Sequence, residues 1–210
     1  GAGKTPATLA VAELLRRHGW SPGIVSRGHG GAATGVVAVD VDTPARLCGD
    51  EPLLLRRRAG VPVIVGRDRV AAARALLRAH PAVNIVVADD GLQHLRMARD
   101  VEIVVVDERG FGNGWPLPAG PLRECPARIA EAHALVVNGD APLPPAFKTP
   151  RVFNMRLAGE RFSNLHDPQR TCSVADLRGL RLHALAGIGN PARFFRQLER
   201  MGLQVVTHAF

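Results

Sequence analysis

The amino-acid sequence predicts an α/β fold: a mostly parallel sheet with helices on both faces, then a smaller C-terminal α/β part joined by a β-hairpin. Three observations carry this. Apolar runs at residues 61–65, 84–88 and 101–106 alternate with segments of helical period, as strands buried on both faces do. Two of those runs end in acidic residues, Asp89-Asp90 and Asp107, at the rim where open α/β sheets bind ligands. The chain also opens Gly1-Ala2-Gly3-Lys4-Thr5-Pro6, the second half of the phosphate-loop pattern G-x-x-x-x-G-K-[ST], running directly into a helix. A P-loop NTPase-like sheet joins all three.

Taken in order, residues 5–18 have helical period, with Ala7, Val11, Leu14 and Leu15 on one face, Arg16 and Arg17 in the last turn and Gly19 as the stop. Residues 23–26 form a short strand leading into the loop Ser26-Arg27-Gly28-His29-Gly30-Gly31, and 36–41 form another strand. Gly49-Asp50-Glu51-Pro52 leads into a helix at 52–58. After the strand at 61–65 comes a helix at 67–80, with Val70, Ala73 and Leu77 inward and Arg67, Arg74 and Arg78 outward. Strands follow at 84–88 and 101–106. Residues 109–120 are crowded with Gly and Pro and read as a loop, placed where doubly wound folds carry function. A helix at 122–132 and a strand at 134–137 complete the core.

Four prolines within 140–150 mark a linker, dividing the chain into a core domain at 1–149 and a C-terminal part at 150–210. There, 152–157 and 161–165, around Ala158-Gly159, read as the β-hairpin. A strand at 182–186, the loop Gly187-Ile188-Gly189-Asn190-Pro191, a helix to Met201 and a strand at 204–207 follow.

A length of 210 residues suffices for one large or two small cores. The net charge of +8 comes from arginine, 25 residues against two lysines. It favours anionic partners such as a nucleotide, a phosphorylated substrate or an acidic membrane surface, although an Arg- and Ala-rich genome gives the same bias. Aromatic content of 4% with no Tyr leaves few stacking platforms, so nucleic acid is not an expected partner. Cys48, Cys125 and Cys172 are far apart and read as reduced thiols. The histidines lack metal-ligand spacing, and no apolar run reaches the length of a membrane span.

The chemistry asks for these residue types. Gly1, Ala2 and Gly3 let backbone N–H groups turn onto phosphate oxygens. Lys4 can reach the β- and γ-phosphates of ATP, and the Thr5 hydroxyl can ligate Mg2+. Pro6 sits in the first helical turn, where a missing N–H costs nothing. Asp89 and Asp90 can hold Mg2+ opposite the phosphate loop. Asp-Asp-Gly is also a common strand-end turn, and Asp107 is a rival for the metal. Asp50 can orient an acceptor hydroxyl and take its proton, but by composition alone it is a helix cap. Arg123, with Glu124, begins a helix beside the glycine-rich loop, where its charge can offset that of a transferred phosphoryl group; a surface ion pair explains the two equally well. Capping by Asn190 explains the Gly187 loop, which lacks the third glycine of a dinucleotide fingerprint. An alternative is a nucleotide switch, a P-loop GTPase or metal-insertion chaperone, but the N/T-K-x-D guanine motif is absent from the sequence.

Several strings together resemble one family. Gly1 to Pro6, Ser26 to Gly31, Gly49-Asp50-Glu51-Pro52, Val65-Gly66-Arg67-Asp68-Arg69, Asp89-Asp90-Gly91-Leu92-Gln93-His94, Gly110-Phe111-Gly112-Asn113-Gly114, Leu117 to Glu124 and Ala186 to Pro191 occur in the order seen in tetraacyldisaccharide 4'-kinases. The resemblance covers nearly the whole chain. It implies a P-loop lipid kinase that transfers the γ-phosphate of ATP to the 4'-hydroxyl of a tetraacylated glucosamine disaccharide 1-phosphate, giving lipid IVA in lipid A biosynthesis. It implies a peripheral enzyme on the cytoplasmic face of a bacterial inner membrane. By matching motif, Lys4 and Thr5 bind nucleotide and metal, Asp50 accepts the proton, Asp89 and Asp90 serve the metal, and Arg123 and Glu124 border the phosphoryl site. The family pairs its Asp with a histidine in a short Asp-His string after a Phe. This chain reaches His208-Ala209-Phe210, and His208 is not read as that histidine. On this resemblance the chain is expected to be a piece lacking the strand before the phosphate loop, the membrane-binding helix and that histidine, hence inactive and poorly stable alone.

Overall fold

The structure, a computed structural model, describes residues 2–139, 151–159, 161–188 and 190–210. These fall into two compact units, Ala2–Met155 and Arg156–Phe210. The first is built on two sheets. Strands β1 (Pro22–Ser26), β2 (Val37–Val39), β3 (Val63–Val65) and β4 (Ile85–Ala88) lie in the order β2-β3-β1-β4. The β1–β3 and β1–β4 pairs are parallel, and β2 runs antiparallel to β3.

Alternation along these strands sorts side chains onto two covered faces. Ile24, Val63 and Val65 join Ala12 of α1 (Lys4–Arg17), Leu55 of α3 (Asp50–Ala59) and Cys48 of the short α2 (Ala45–Cys48) in one core cluster. Val25 and Ile64 point the other way, onto Ala72 and Leu76 of α4 (Arg69–Ala79). Burying an Ile or Leu side chain contributes ~1.5–3 kcal/mol, so each face is held by several such residues. The expected helix–sheet–helix layering is therefore present.

A second, all-parallel sheet has the order β5-β6-β7, from β5 (Ile103–Asp107), β6 (Ala134–Asn138) and β7 (Val152–Met155). Ile129, from a 3-10 helix at Pro126–Glu131, packs on Val106, Leu135 and Val137. The helix expected at 122–132 is thus shorter and tighter. Pro126, at its first positions, cannot donate within an earlier turn.

Two helical faces differ from expectation. On α4 the buried residues are Arg69, Ala72 and Leu76, one position before the 70/73/77 stripe, and Leu77 is exposed. On α1 the buried residues are Ala7, Thr8 and Ala12, while Leu14 is exposed. Both helices are alanine-rich, so more than one stripe is apolar enough to face a sheet. A polar contact from Arg69 or Thr8 selects the rotation.

The second unit begins with β8 (Arg161–Ser163) and β9 (Thr171–Ser173), an antiparallel pair, then α5 (Val174–Leu177). Strands β10 (Arg181–Ala186) and β11 (Gln204–Ala209) are parallel and joined through α6 (Pro191–Arg200). Ala184, Ala186, Phe195, Leu198 and Leu203 form their core. The strand pairing expected between 152–157 and 161–165 is not formed: β7 adds to β6, and β8 takes β9 instead. The linker expected at 140–150 lies outside the described residues.

Candidate active site

Helix α1 begins immediately after Gly3, whose φ of 96° is left-handed. A Cβ there would lie 2.3 Å from Asn138 Nδ2 and 2.8 Å from Met155 Cε. Glycine is demanded twice, by backbone angle and by space. Asn138, fully buried at the end of β6, donates from Nδ2 to the Ala2 carbonyl at 3.0 Å and fixes the approach of the loop. No side chain caps α1, and its first turn carries no acidic residue. The N–H groups and positive end of a helix of 14 residues are therefore left for an anion.

Across from this end stand the two acids that follow β4. Lys4 Nζ donates to Asp90 Oδ1 at 2.6 Å. Arg123 Nη1 reaches both oxygens of Asp90, at 3.3 and 3.2 Å, and also Gln93 Oε1 at 3.1 Å. Gln93 Nε2 in turn donates to Glu124 Oε1 at 2.7 Å. Lys4, Asp90, Arg123 and Glu124 thus belong to one connected polar cluster. Asp90 has a positive φ of 51°, uncommon for a residue with a side chain and frequent at functional sites.

Asp89 points elsewhere, into a pocket where it is only 3% exposed. The hydroxyls of Thr8 and Ser26 each donate to one of its oxygens at 3.2 Å. Burial pushes the Asp89 carboxyl above its usual range, opposed by those two hydroxyls and by Lys4. Burial also acts on Asp90, but the hydrogen bonds and charges of Lys4 and Arg123 outweigh it and hold that carboxyl below the usual range. Adjacent acids with opposite shifts are a pattern found at reactive sites.

The donor set suits a hard cation. Two carboxylates and the Thr5 hydroxyl, one turn from Thr8 on α1, are oxygen donors of the kind that would hold Mg2+. Among the described residues no cluster of three or more His, Cys, Asp or Glu is placed to hold an ion by itself. The rival Asp107 is engaged otherwise: Arg109 closes on it through Nε at 3.0 Å and Nη2 at 2.7 Å.

Asp50 sits at the first position of α3, beside Gly49. A Cβ on Gly49 would lie 2.4 Å from the His29 carbonyl, so the loop after β1 and the start of α3 touch at the sheet's carboxyl rim. Asp50 is exposed. Its negative charge also favours the start of α3. Of the other sequence candidates, Gly1 lies outside the described residues, and Asn190 caps α6, accepting from Arg193 N–H at 3.2 Å.

Sequence reasoning assigned no role to Thr8, Ser26, Gln93, Asn138 or Arg69. The first four are uncharged residues whose signal exists only once β1, β4, β6 and α1 converge. Arg69 is 3% exposed, donates from Nη1 to the Gly66 carbonyl at 2.6 Å, and keeps a buried Nε without a partner among the described residues. Burial and the nearby Arg27 weaken its hold on the proton, opposed by Asp90 and Asp89. A cation so placed beside two acids belongs to the electrostatics of this site.

The chain is similar to known proteins over its whole length. The chain is 54% identical to the tetraacyldisaccharide 4'-kinase of Azoarcus sp. (strain BH72), over 100% of this chain and 62% of that protein. It is also 54% identical to the enzyme of that name from Dechloromonas aromatica (strain RCB), again over 100% of this chain and 63% of the relative. A crystal structure of LpxK from Aquifex aeolicus in complex with ATP superposes with a TM-score of 0.77 at 26% identity, covering 100% of this chain and 67% of that one. The chain spans about three fifths of the length of these curated relatives. The sequence profile described as "Tetraacyldisaccharide-1-P 4'-kinase" matches residues 1–210, and the chain belongs to that family.

Proposed function

We propose that this chain carries the phosphoryl-transfer site of an ATP-dependent lipid kinase. The γ-phosphate of ATP passes to the 4'-hydroxyl of a tetraacylated glucosamine disaccharide 1-phosphate, forming lipid IVA at the cytoplasmic face of a bacterial inner membrane. The observation that carries the reading is the open N-terminus of α1 with Lys4 held 2.6 Å from Asp90. The relatives' names and the ATP in the Aquifex neighbour support the donor and acceptor. Among the described residues no helix is long and apolar enough to cross a membrane.

Gly3 and the first turn of α1 bind the phosphates. Lys4 exchanges Asp90 for phosphate oxygens, so nucleotide binding breaks a solvent-accessible ion pair of low net worth and gains a charge-assisted contact. Arg123 is tied to Asp90 and Gln93, which aim its guanidinium at the same rim, where charge develops in transfer. Asp50 orients the acceptor hydroxyl and takes its proton. Thr5, Asp89 and Asp90 would hold Mg2+, which would supply positive charge against that of the phosphates.

Transfer of labelled phosphate from ATP to the acylated disaccharide, measured on the intact protein, tests the proposal. Lys4→Ala is expected to lower kcat/KM by ~100-fold or more, as for loss of a preorganised charge at the transition state. Asp50→Ala is expected to lower kcat with nucleotide binding retained. Unchanged turnover in Asp50→Ala would remove that residue from the mechanism, and unchanged turnover in Lys4→Ala would remove the phosphate loop.

A further inference from the structure

Three of the most exposed large apolar side chains in the first unit lie on two loops that meet at Arg123. Leu95 is 78% exposed in the loop after β4, and Trp115 and Leu117 are 64% and 66% exposed in the loop after β5. Gln93 ties the first loop to Arg123 and Glu124. The second is joined to Arg123 through its own backbone: Leu122 N–H donates to the Trp115 carbonyl at 3.2 Å, and Leu117 N–H to the Leu122 carbonyl at 2.8 Å.

Single exposed apolar residues need no explanation. These differ in three respects. The second loop is internally braced, with Asn113 donating to the Ala119 carbonyl and accepting from Trp115 N–H. Trp115 and Leu117 are thus presented on a fixed frame, so ordering them at a surface costs little entropy. Of the arginines on these loops, Arg99, Arg109 and Arg123 are paired with Glu102, Asp107 and Asp90, whereas Arg96 is 80% exposed, and the loop residues 91–99 and 109–123 themselves contain no Asp or Glu. Finally, the loops meet at Arg123, which is hydrogen-bonded to Asp90 in the candidate site. An indole ring flanked by aliphatic side chains and arginines is the composition that settles at a headgroup–acyl boundary.

We propose that these two loops are the face with which the protein meets an anionic lipid bilayer, Trp115, Leu117 and Leu95 entering the boundary while Arg96 meets the headgroups. An acylated sugar keeps its chains in the bilayer. Docking by this face lets the sugar reach Asp90 and Arg123 without extracting the lipid. The inference deepens the kinase reading, since it takes from it that the acceptor is lipid-borne.

The chain contains two tryptophans, and Trp20 immediately precedes the amino end of β1, away from the carboxyl rim. Trp20→Phe therefore leaves Trp115 as the sole emitter, and Trp115→Phe leaves Trp20 as a control. Both chains are mixed with phosphatidylglycerol vesicles carrying brominated acyl chains, without ATP or acceptor. The expected result is a blue shift and quenching of Trp115 but not of Trp20. Vesicle affinity should fall about tenfold in Trp115→Ser, the effect of leaving one large apolar side chain in water, and fall again with neutral phosphatidylcholine.

An unquenched Trp115, wild-type affinity in Trp115→Ser, no vesicle binding at all, or equal binding to neutral vesicles would each overturn the proposal. Because the vesicles hold no acceptor, a chain without kinase activity still gives the expected quenching if the face is right. Conversely, loss of quenching leaves the phosphate-transfer result standing.

Discussion

Two neighbouring carboxylates, Asp89 and Asp90, share a strand end and differ in almost everything else. Asp89 is buried among hydroxyls and Asp90 is bracketed by cations. Their shifts have opposite consequences for folding. The Asp89 carboxyl, raised by burial, binds a proton more readily folded than unfolded, so its contribution is fully present below the unfolded value and is lost as pH rises through the folded one. The lowered Asp90 carboxyl contributes above the ordinary carboxylate range, and that contribution is lost as pH falls through its folded value. Asp89→Asn is therefore expected to raise Tm of the nucleotide-free protein at neutral pH, by ~1 kcal/mol in stability. The gain should shrink as the solution is acidified through the elevated Asp89 range. The same variant should bind Mg2+·ATP at least about tenfold more weakly, the loss of one carboxylate ligand. Calorimetry across pH with and without Mg2+·ATP measures both, and a variant less stable at neutral pH would mean that Asp89 is held by its hydroxyls more firmly than burial opposes it.

At the scale of the element, α4 shows how a helix chooses its rotation. Its sequence, RVAAARALLRA, offers two apolar stripes one residue apart. Leu76 is fully buried against Val25 and Ile64, while Leu77 faces water. Leu76→Ala is expected to cost about 3 kcal/mol, the transfer and cavity terms together, and Leu77→Ala less than ~1 kcal/mol. Denaturant unfolding of the two variants checks it, and equal costs would put the rotation in error. What turns the helix is Asp68 accepting from Val70 and Ala71 N–H at its start, with Arg69 donating inward to Gly66. A helix start fixed by its cap and one inward cation determines which leucine is buried.

At the scale of the whole molecule, cohesion is uneven. Strands β1 and β3 are paired on both edges, whereas among the described residues β4 pairs only with β1 and β5 only with β6. Backbone groups on an unpaired edge depend on water or on side chains for their hydrogen bonds. Amide hydrogen exchange should therefore be slowest in β1 and β3, faster in β4 and β5, and faster again in the β8–β9 pair, which has no third strand among the described residues. Protection in β4 and β5 equal to that in β1 would show their outer edges to be covered. The second unit has its own core around Phe195 and Leu198, so it should report its own protection pattern.

What the sequence determined by itself was whatever rests on local periodicity and on residues used for a single chemical property. The parallel layering followed from apolar runs between helices, and Lys4, Asp89 and Asp90 could be named as candidates from a glycine-rich turn before a helix and from carboxylates at a strand end. What only the tertiary structure decided was whatever needs two distant segments at once. It decided that Asp90 rather than Asp89 takes Lys4, that Asp107 is closed by Arg109, and that β7 extends the sheet instead of folding back in a hairpin. It also decided that Thr8, Ser26 and Asn138 hold the site from below. Hydroxyls, amides and alanine-rich faces fit many environments, so their partners are fixed by which strands converge, and that convergence is a property of the folded chain.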